Sequence, residues 1–413
     1  MKVCFLLGSG LSRPASFPCL EQIGSRVLSS DNIVKISGVY REKGPSVCAI
    51  FLKDEKDEEL KRVLRFLHWL EVRANLRFEA TYHRANYEDL FYLASQIHYD
   101  ILDEYENPAI RPFICDALFN LWDSIPGNAF PLNQLGDLAG ETINYIRDVV
   151  AVMLDKPPGR TDYLKLFLDA AGDSAVSALN LFTLNHDKLL EEYFHNKIHF
   201  ADGFGEEDSR LGIRRWNPTL FDAMVPVPGV AAVRLFKLHG SINWYRFRPD
   251  QPSHTGNDSD PWVEEYVGIR SNPDLAVAKD SRGRRHEKVG HCLISVGTFN
   301  KMIDYTDRVF FEMHYRLMRE LDEAERLIVC GYGFGDKGVN KRITEWMCSS
   351  STRKILVIDP KTPPKLKESA RRAIEQKIDG WKQKGRWVHW VEGLDAPEIT
   401  WDRIAKEFPD TCA

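Results

Sequence analysis

The sequence predicts an α/β protein, a doubly wound parallel sheet with a large helical insertion. Three observations lead there. A short apolar run, Val3 to Leu7, ends in Gly8-Ser9-Gly10. From about residue 175 onward, short apolar runs alternate with amphipathic ones. Between these stretches, residues 54–172 follow the helical period.

The run Val3 to Leu7 is apolar throughout and closed by glycine, as expected of a parallel strand buried on both faces. A helix after Pro18 would carry Leu20, Ile23, Val27 and Leu28 on one face. Leu60, Val63, Leu64, Phe66, Leu67 and Leu70 recur at helical spacing, as do Leu90, Phe91, Leu93, Ala94 and Ile97. Asn86 before Glu88 and Asp89 predicts a helix start, because acidic groups favour the positive end of a helix. Beyond residue 175 the candidate strands are Ala178 to Thr183, Val233 to Leu238, Ile242 to Phe247, Leu293 to Val296, Arg326 to Cys330, Lys354 to Ile358 and Val388 to Val391. Candidate helices fill 187–195, 305–322, 337–348, 363–379 and 398–407. Such alternation argues for a parallel sheet covered on both faces. The expected organisation is one α/β domain from residues 1–50 and 175–413, interrupted by a helical insertion at 51–174. Gln251 to Gly290 is polar and rich in Asp, Ser, Gly and Arg, and reads as a long loop.

With 413 residues and 43% hydrophobic content, the chain can bury a sizeable core. A formal charge of -5 offers no global pull toward nucleic acid, although a local basic stripe is compatible with it. No apolar run nears the roughly 20 residues that span a bilayer. The N-terminal run is short for a signal peptide, so a cytoplasmic location without membrane attachment is expected. The eight cysteines include no Cys-x-x-Cys pair, so no cysteine zinc ribbon and no metal are expected.

Five motifs fall at predicted strand ends, where open parallel sheets bind ligands. Gly8-Ser9-Gly10-Leu11-Ser12 could let the backbone approach a pyrophosphate, or could simply be a tight turn, since Arg13 replaces the third glycine of the usual fingerprint. Thr183-Leu184-Asn185-His186-Asp187 offers polar side chains to a ligand, or caps a helix. His239, in Lys237-Leu238-His239-Gly240-Ser241, could serve as a general base near neutral pH, or be structural. Gly331-Tyr332-Gly333-Phe334-Gly335-Asp336 repeats the strand-to-glycine pattern. Asp359-Pro360 could take ribose hydroxyls or form an Asp-Pro turn. A basic segment from Lys361 to Arg386, with Trp381 and Trp387, could meet nucleic acid or be a solvated helix face.

In this order the motifs resemble those of the sirtuin superfamily: a glycine-rich first turn, Thr-x-Asn-x-Asp, a His-Gly, and a second glycine-rich strand end. The forms are most similar to the sirtuin-like domains of bacterial anti-phage defence proteins, over residues 2–30 and 178–360. His186 stands where those domains usually carry another aromatic residue. The resemblance implies a Rossmann-like fold that binds NAD as substrate. Asn185, His239 and Asp187 would be the catalytic residues. Gly8, Ser9, Gly10, Ser12, Thr183, Gly331, Gly333 and Asp359 would hold the dinucleotide. Without a zinc ribbon, the resemblance favours NAD hydrolysis over protein deacylation. It further implies an oligomeric defence effector that depletes NAD in abortive infection, with a HerA-type ATPase or an Argonaute protein as partner. An NAD- or ADP-ribose-sensing subunit, or a nucleic-acid-acting one, is the alternative.

Overall fold

The protein is described here from a computed structural model, which covers residues 1–29, 32–43, 54–78, 84–104, 106–120, 132–250, 265–271, 279–296, 307–370 and 374–407. Its strands are β1 (Lys2–Leu7), β2 (Ile33–Ile36), β3 (Val39–Glu42), β4 (Ala178–Thr183), β5 (Phe204–Glu207), β6 (Arg214–Trp216), β7 (Ala232–Lys237), β8 (Trp244–Pro249), β9 (Tyr266–Ile269), β10 (His286–Val289), β11 (Arg326–Cys330), β12 (Lys354–Ile358) and β13 (Trp387–Trp390). The chain divides into two compact units, one of Met1–Phe17, Pro157–Leu293 and Tyr305–Ala413, the other of Pro18–Lys156 and Ile294–Asp304.

The first unit is built on a six-stranded sheet in the order β13-β12-β11-β1-β4-β7, with every neighbouring pair parallel. All six residues of β4 are buried, and so are Val3 to Leu7 of β1. Their largely apolar character is the mark of strands covered on both faces, and the buried Asn180 of β4 is matched by Glu320 Oε2 at 3.1 Å. The chain runs outward from β1 through β4 to β7, returns to β11 on the other side of β1, and continues to β12 and β13. Because every pair is parallel, the carboxyl ends of β1, β4, β7, β11 and β12 share one edge of the sheet, and the winding reverses there between β1 and β11.

Ile242 to Phe247 does not join this sheet. The strand there is β8, which pairs antiparallel with β9 and β10 in a separate five-stranded sheet ordered β10-β8-β9-β6-β5. Two of its strands, β9 and β10, lie within the stretch expected to be a loop, while residues 251–264 and 272–278 fall outside the described residues. These four-residue strands carry too few alternating apolar positions to stand out among charged neighbours. Leu293 to Val296 forms no strand among the described residues, because Leu293 is tied to the turn before β8, donating to the Trp244 carbonyl and accepting from Ser241 N.

The second unit contains helices α1 (Leu20–Ser29), α2 (Asp54–Phe78), α3 (Tyr87–Ile101), α4 (Arg111–Asn120) and α5 (Leu132–Leu154), with the β2–β3 hairpin. α5 is central and packs on α1, α2, α3 and β3. Its buried stripe includes Leu135, Leu138, Ala139, Thr142, Ile146 and Val149. Asn86 caps α3 in a full capping box with Asp89, so the acidic start read from the sequence is a real helix start. In this unit Ile23 and Val27 of α1 are buried, and Tyr145 Oη donates to the Val27 carbonyl at 3.0 Å. The helix Lys165–Gly172 belongs to the first unit, where Phe167 meets Phe5 edge-on at 5.2 Å. Among the described residues, no helix is long and apolar enough to cross a membrane.

Candidate active site

Two glycine turns meet where the winding reverses. Gly8 N donates to the Cys330 carbonyl at 3.0 Å, and Gly10 N to the Gly331 carbonyl at 2.9 Å. A Cβ on Gly10 would lie 2.6 Å from Gly331 Cα, and one on Gly331 would lie 2.6 Å from the Gly10 backbone. Gly331 also has φ +61°, in the left-handed region. These glycines are therefore demanded by the contact between the two turns, whatever ligand lies beyond. Ser9 is exposed, and Gly10, Gly331 and Gly333 are half-buried. Leu11 N closes on the Gly8 carbonyl in a single 3-10 turn, and Tyr163 Oη fastens the Leu11 carbonyl at 2.6 Å.

Beside this turn stands the Asn185 loop. Its strand, β4, pairs along its whole length with β1, which brings Thr183 level with Leu7. Asn185 Nδ2 donates to the Gly8 carbonyl at 3.0 Å and to Ser12 Oγ at 2.9 Å, and Ser12 Oγ donates to Asp187 Oδ2 at 2.7 Å. Asp187 Oδ1 accepts from Leu189 N at 3.1 Å, so one carboxylate shapes the turn into the next helix and holds Ser12. Thr183 Oγ1 accepts from Asn185 N at 3.1 Å and is buried, so it shapes the loop from behind. Ser12, Asn185 and Asp187 are 3%, 9% and 7% exposed, which makes them a preformed buried network.

The β7 motif sits next to this loop. Ile242 N and Ser241 Oγ both donate to the His186 carbonyl, and the rings of His186 and His239 are 6.2 Å apart. Lys237 is buried, and its ammonium contacts the Asp187 carbonyl and Glu191 Oε1, the latter at 2.7 Å. Burial raises the Glu191 carboxyl, and the adjoining Lys237 pulls the other way. Gly240, at φ +75°, turns the chain where a Cβ would lie 2.2 Å from the Leu293 carbonyl oxygen.

His239 is 5% exposed, and its Nε2 stands 3.1 Å from Asp336 Oδ2. Asp336 closes the β11 glycine motif and caps the helix Lys337–Ser349, its Oδ1 accepting from Val339 N at 3.0 Å. The loop reaches His239 with Phe334 at φ +55°, a conformation held by burial of that ring against Tyr332 and Trp387. Tyr332 Oη accepts from Asp336 N at 3.0 Å and lies 2.9 Å from Asn340 Oδ1. In the sequence Asp336 stands only as the last residue of its glycine motif, with no role marked. Its signal was an acidic residue five positions beyond Gly331, which capping alone also explains.

Asp359 lies at the end of β12 on the same edge and is buried, with Oδ1 accepting from Lys361 N at 2.8 Å. That bond is the turn alternative realised. The basic segment has its aromatics turned inward. Trp381 and Trp387 are buried and stacked at 6.0 Å, and the Arg386 guanidinium is bonded to main-chain carbonyls, among them Arg353 O at 2.9 Å. They offer no stacking platform for bases, which removes the aromatic half of the nucleic-acid reading. Arg371 and Arg372 fall outside the described residues.

Residues 179–379 match the SIR2-like domain family. The matched segment takes in the Asn185 loop, His239, Asp336 and Asp359. It leaves out β1 and the Gly8–Ser12 turn, although β1 lies inside the same sheet, paired to β4 and β11. Among solved structures, a histidine-to-asparagine mutant of a Sir2 homologue in complex with ADP ribose aligns over 98% of this chain and 91% of its own, at 12% identity and a TM-score of 0.30. A likeness that remote carries nothing about ligands to this chain. No curated protein matches the chain.

Proposed function

We propose that the chain hydrolyses NAD at the bond between nicotinamide and ribose, giving nicotinamide and ADP-ribose. The observation that carries this reading is the convergence, at one sheet edge, of the hydrogen-bonded Ser12–Asn185–Asp187 network with His239 held against Asp336. A SIR2-like match that includes most of these residues supports NAD as the substrate.

Breaking that bond leaves positive charge on the ribose, as in glycoside hydrolysis, and water completes the reaction at the anomeric carbon. His239 takes the proton released by the attacking water, a role in which one positioned base contributes about 10²–10⁴-fold. The Asp336 carboxylate, 3.1 Å from Nε2, stabilises that imidazole once it is protonated. Asn185, whose two amide hydrogens go to Gly8 and Ser12, presents its amide oxygen to a ribose hydroxyl or to the water. Gly8, Ser9 and Gly10 approach the diphosphate through the backbone, and Gly331, Gly333 and Asp359 face the adenosine side. Nicotinamide departs as a neutral molecule from a cationic precursor, so no metal is needed to activate it.

In the cell such an activity would deplete NAD, and we propose that it serves anti-phage defence. It would be gated by self-assembly or by a partner, a HerA-type ATPase or an Argonaute protein. The decisive experiment incubates the purified full chain with NAD alone and separates the products. Nicotinamide with free ADP-ribose supports the proposal. NAD bound but intact would make the chain a sensor instead.

A further inference from the structure

The helical unit holds a cleft of about 560 Å³ lined by α2, α3 and α5, well away in sequence from every motif discussed above. Its existence follows from α5. Gly136 and Gly140 have no side chains, and a Cβ there would lie 2.9 Å from Ile101 Cγ2 and 2.7 Å from His98 Cε1. α3 therefore approaches α5 closely and leaves the polar side chains at the rim to face one another.

Two guanidiniums line this cleft, Arg62 from α2 and Arg147 from α5. Among the described residues neither has a carboxylate partner. Arg147 sits over the Phe91 ring at 5.3 Å, and its buried Nε has no hydrogen-bond partner. A buried guanidinium donor left unmatched is costly, and phosphate oxygens fit the planar fork of arginine. Of the three carboxylates that line the cleft, Glu59, Asp137 and Glu141, two are engaged by a lysine. Glu59 and Glu141 are both taken by Lys35, at 3.1 and 2.6 Å. Burial alone would lower Lys35, yet its bonds to Glu141 and Glu59 carry it above its ordinary value.

The other lining groups call for more than a bare anion. His98 Nδ1 lies 2.8 Å from the Gly136 carbonyl, so Nδ1 carries the hydrogen and the neutral ring keeps its Nε2 lone pair. The Tyr99 ring adjoins it at 5.5 Å, an aromatic surface for a flat heterocycle. Asn144 adds an amide able to donate and accept, and Asp137 a carboxylate suited to ribose hydroxyls. The volume lies within the ~300–1,000 Å³ range of small-molecule sites. We infer that this cleft binds a nucleoside monophosphate, its phosphate on Arg62 and Arg147 and its base beside Tyr99. The inference does not depend on NAD hydrolysis.

Calorimetric titration of the full chain with AMP and with adenosine tests it. The wild type is expected to bind AMP at least about tenfold more tightly than adenosine, since charged hydrogen bonds to one phosphate are worth that much. The Arg62→Gln/Arg147→Gln double variant should lose this preference, while Asn185→Ala, altered in the sheet unit, should keep it. Arg62 is exposed, so Arg62→Gln alone folds in any case and should weaken AMP without weakening adenosine. Absence of AMP binding by the wild type, or an AMP preference that survives both arginine changes, overturns the inference.

Discussion

His239 and Asp336 meet at 3.1 Å although the strands that carry them, β7 and β11, stand three places apart in the sheet. Three strand spacings amount to about 14 Å. The gap is closed by the loop after β11, which crosses the ends of β1 and β4. Its bend depends on Gly331 and on Phe334 held at positive φ. A contact so bought by backbone strain suits a working site better than a passive one.

Asp336→Asn isolates the charge of this pair, because asparagine caps helices about as well as aspartate. NAD cleavage is expected to fall about 10²–10⁴-fold, as for the loss of a general base, with the melting temperature nearly unchanged. Asp336→Ala should add a stability loss of about 0.5–2 kcal/mol from the missing cap. Steady-state kinetics with thermal melts separates the two effects. Full activity in a folded Asp336→Asn protein removes Asp336 from the site.

Asn185→Ala is expected to abolish NAD cleavage, but not silently. Its amide holds both the Gly8 carbonyl and Ser12 Oγ, so the change leaves buried acceptors unmatched, at about 1–3 kcal/mol. His239→Ala should also abolish turnover. Product chromatography together with chemical denaturation checks both, and wild-type rates in either folded variant contradict the assignment.

The glycine turns make a purely structural prediction. Gly331→Ala meets the Gly10 backbone and must hold a positive φ, so it should destabilise the protein by at least about 2 kcal/mol. Gly335→Ala in the same loop meets nothing within 4 Å and should stay within about 1 kcal/mol of wild type. Equal melting temperatures for the two variants would refute the turn-to-turn account.

Acid sensitivity has a defined source in the sheet unit. Arg316 grips Asp222 with two bonds of 2.6 Å, while burial opposes and Arg319 adds to the effect, and together they hold the carboxyl well below the usual range. The unfolded chain therefore takes up this proton first as pH falls. The contribution to stability is present above the ordinary value of 3.8 and is lost as pH drops below it. Asp222→Asn should melt lower than wild type at pH 7, with the gap closing below about pH 4. Melting curves across pH 3–7 would show this, and a gap independent of pH would exclude it.

Hydrolysis by the route proposed above should survive metal removal. Activity is expected to be unchanged after dialysis against EDTA, measured as nicotinamide release. A loss restored by added zinc would overturn the reading of the cysteines.

The runs of β1, β4, β11 and β12 are legible because strands buried on both faces are mostly apolar, and glycines mark where β1 and β11 stop. That pattern alone determined a parallel sheet and listed most of the candidate residues at its carboxyl edge. It could not assign β8 to a second sheet, because an apolar run does not record its pairing partner. Nor could it reveal that Gly10 and Gly331 answer to each other, or that Asp336 reaches His239. Those facts depend on strand order, on the crossing of loops between strands that are not neighbours, and on contacts between residues about a hundred or more positions apart. Only the tertiary structure decides them, because such contacts leave no period in the sequence.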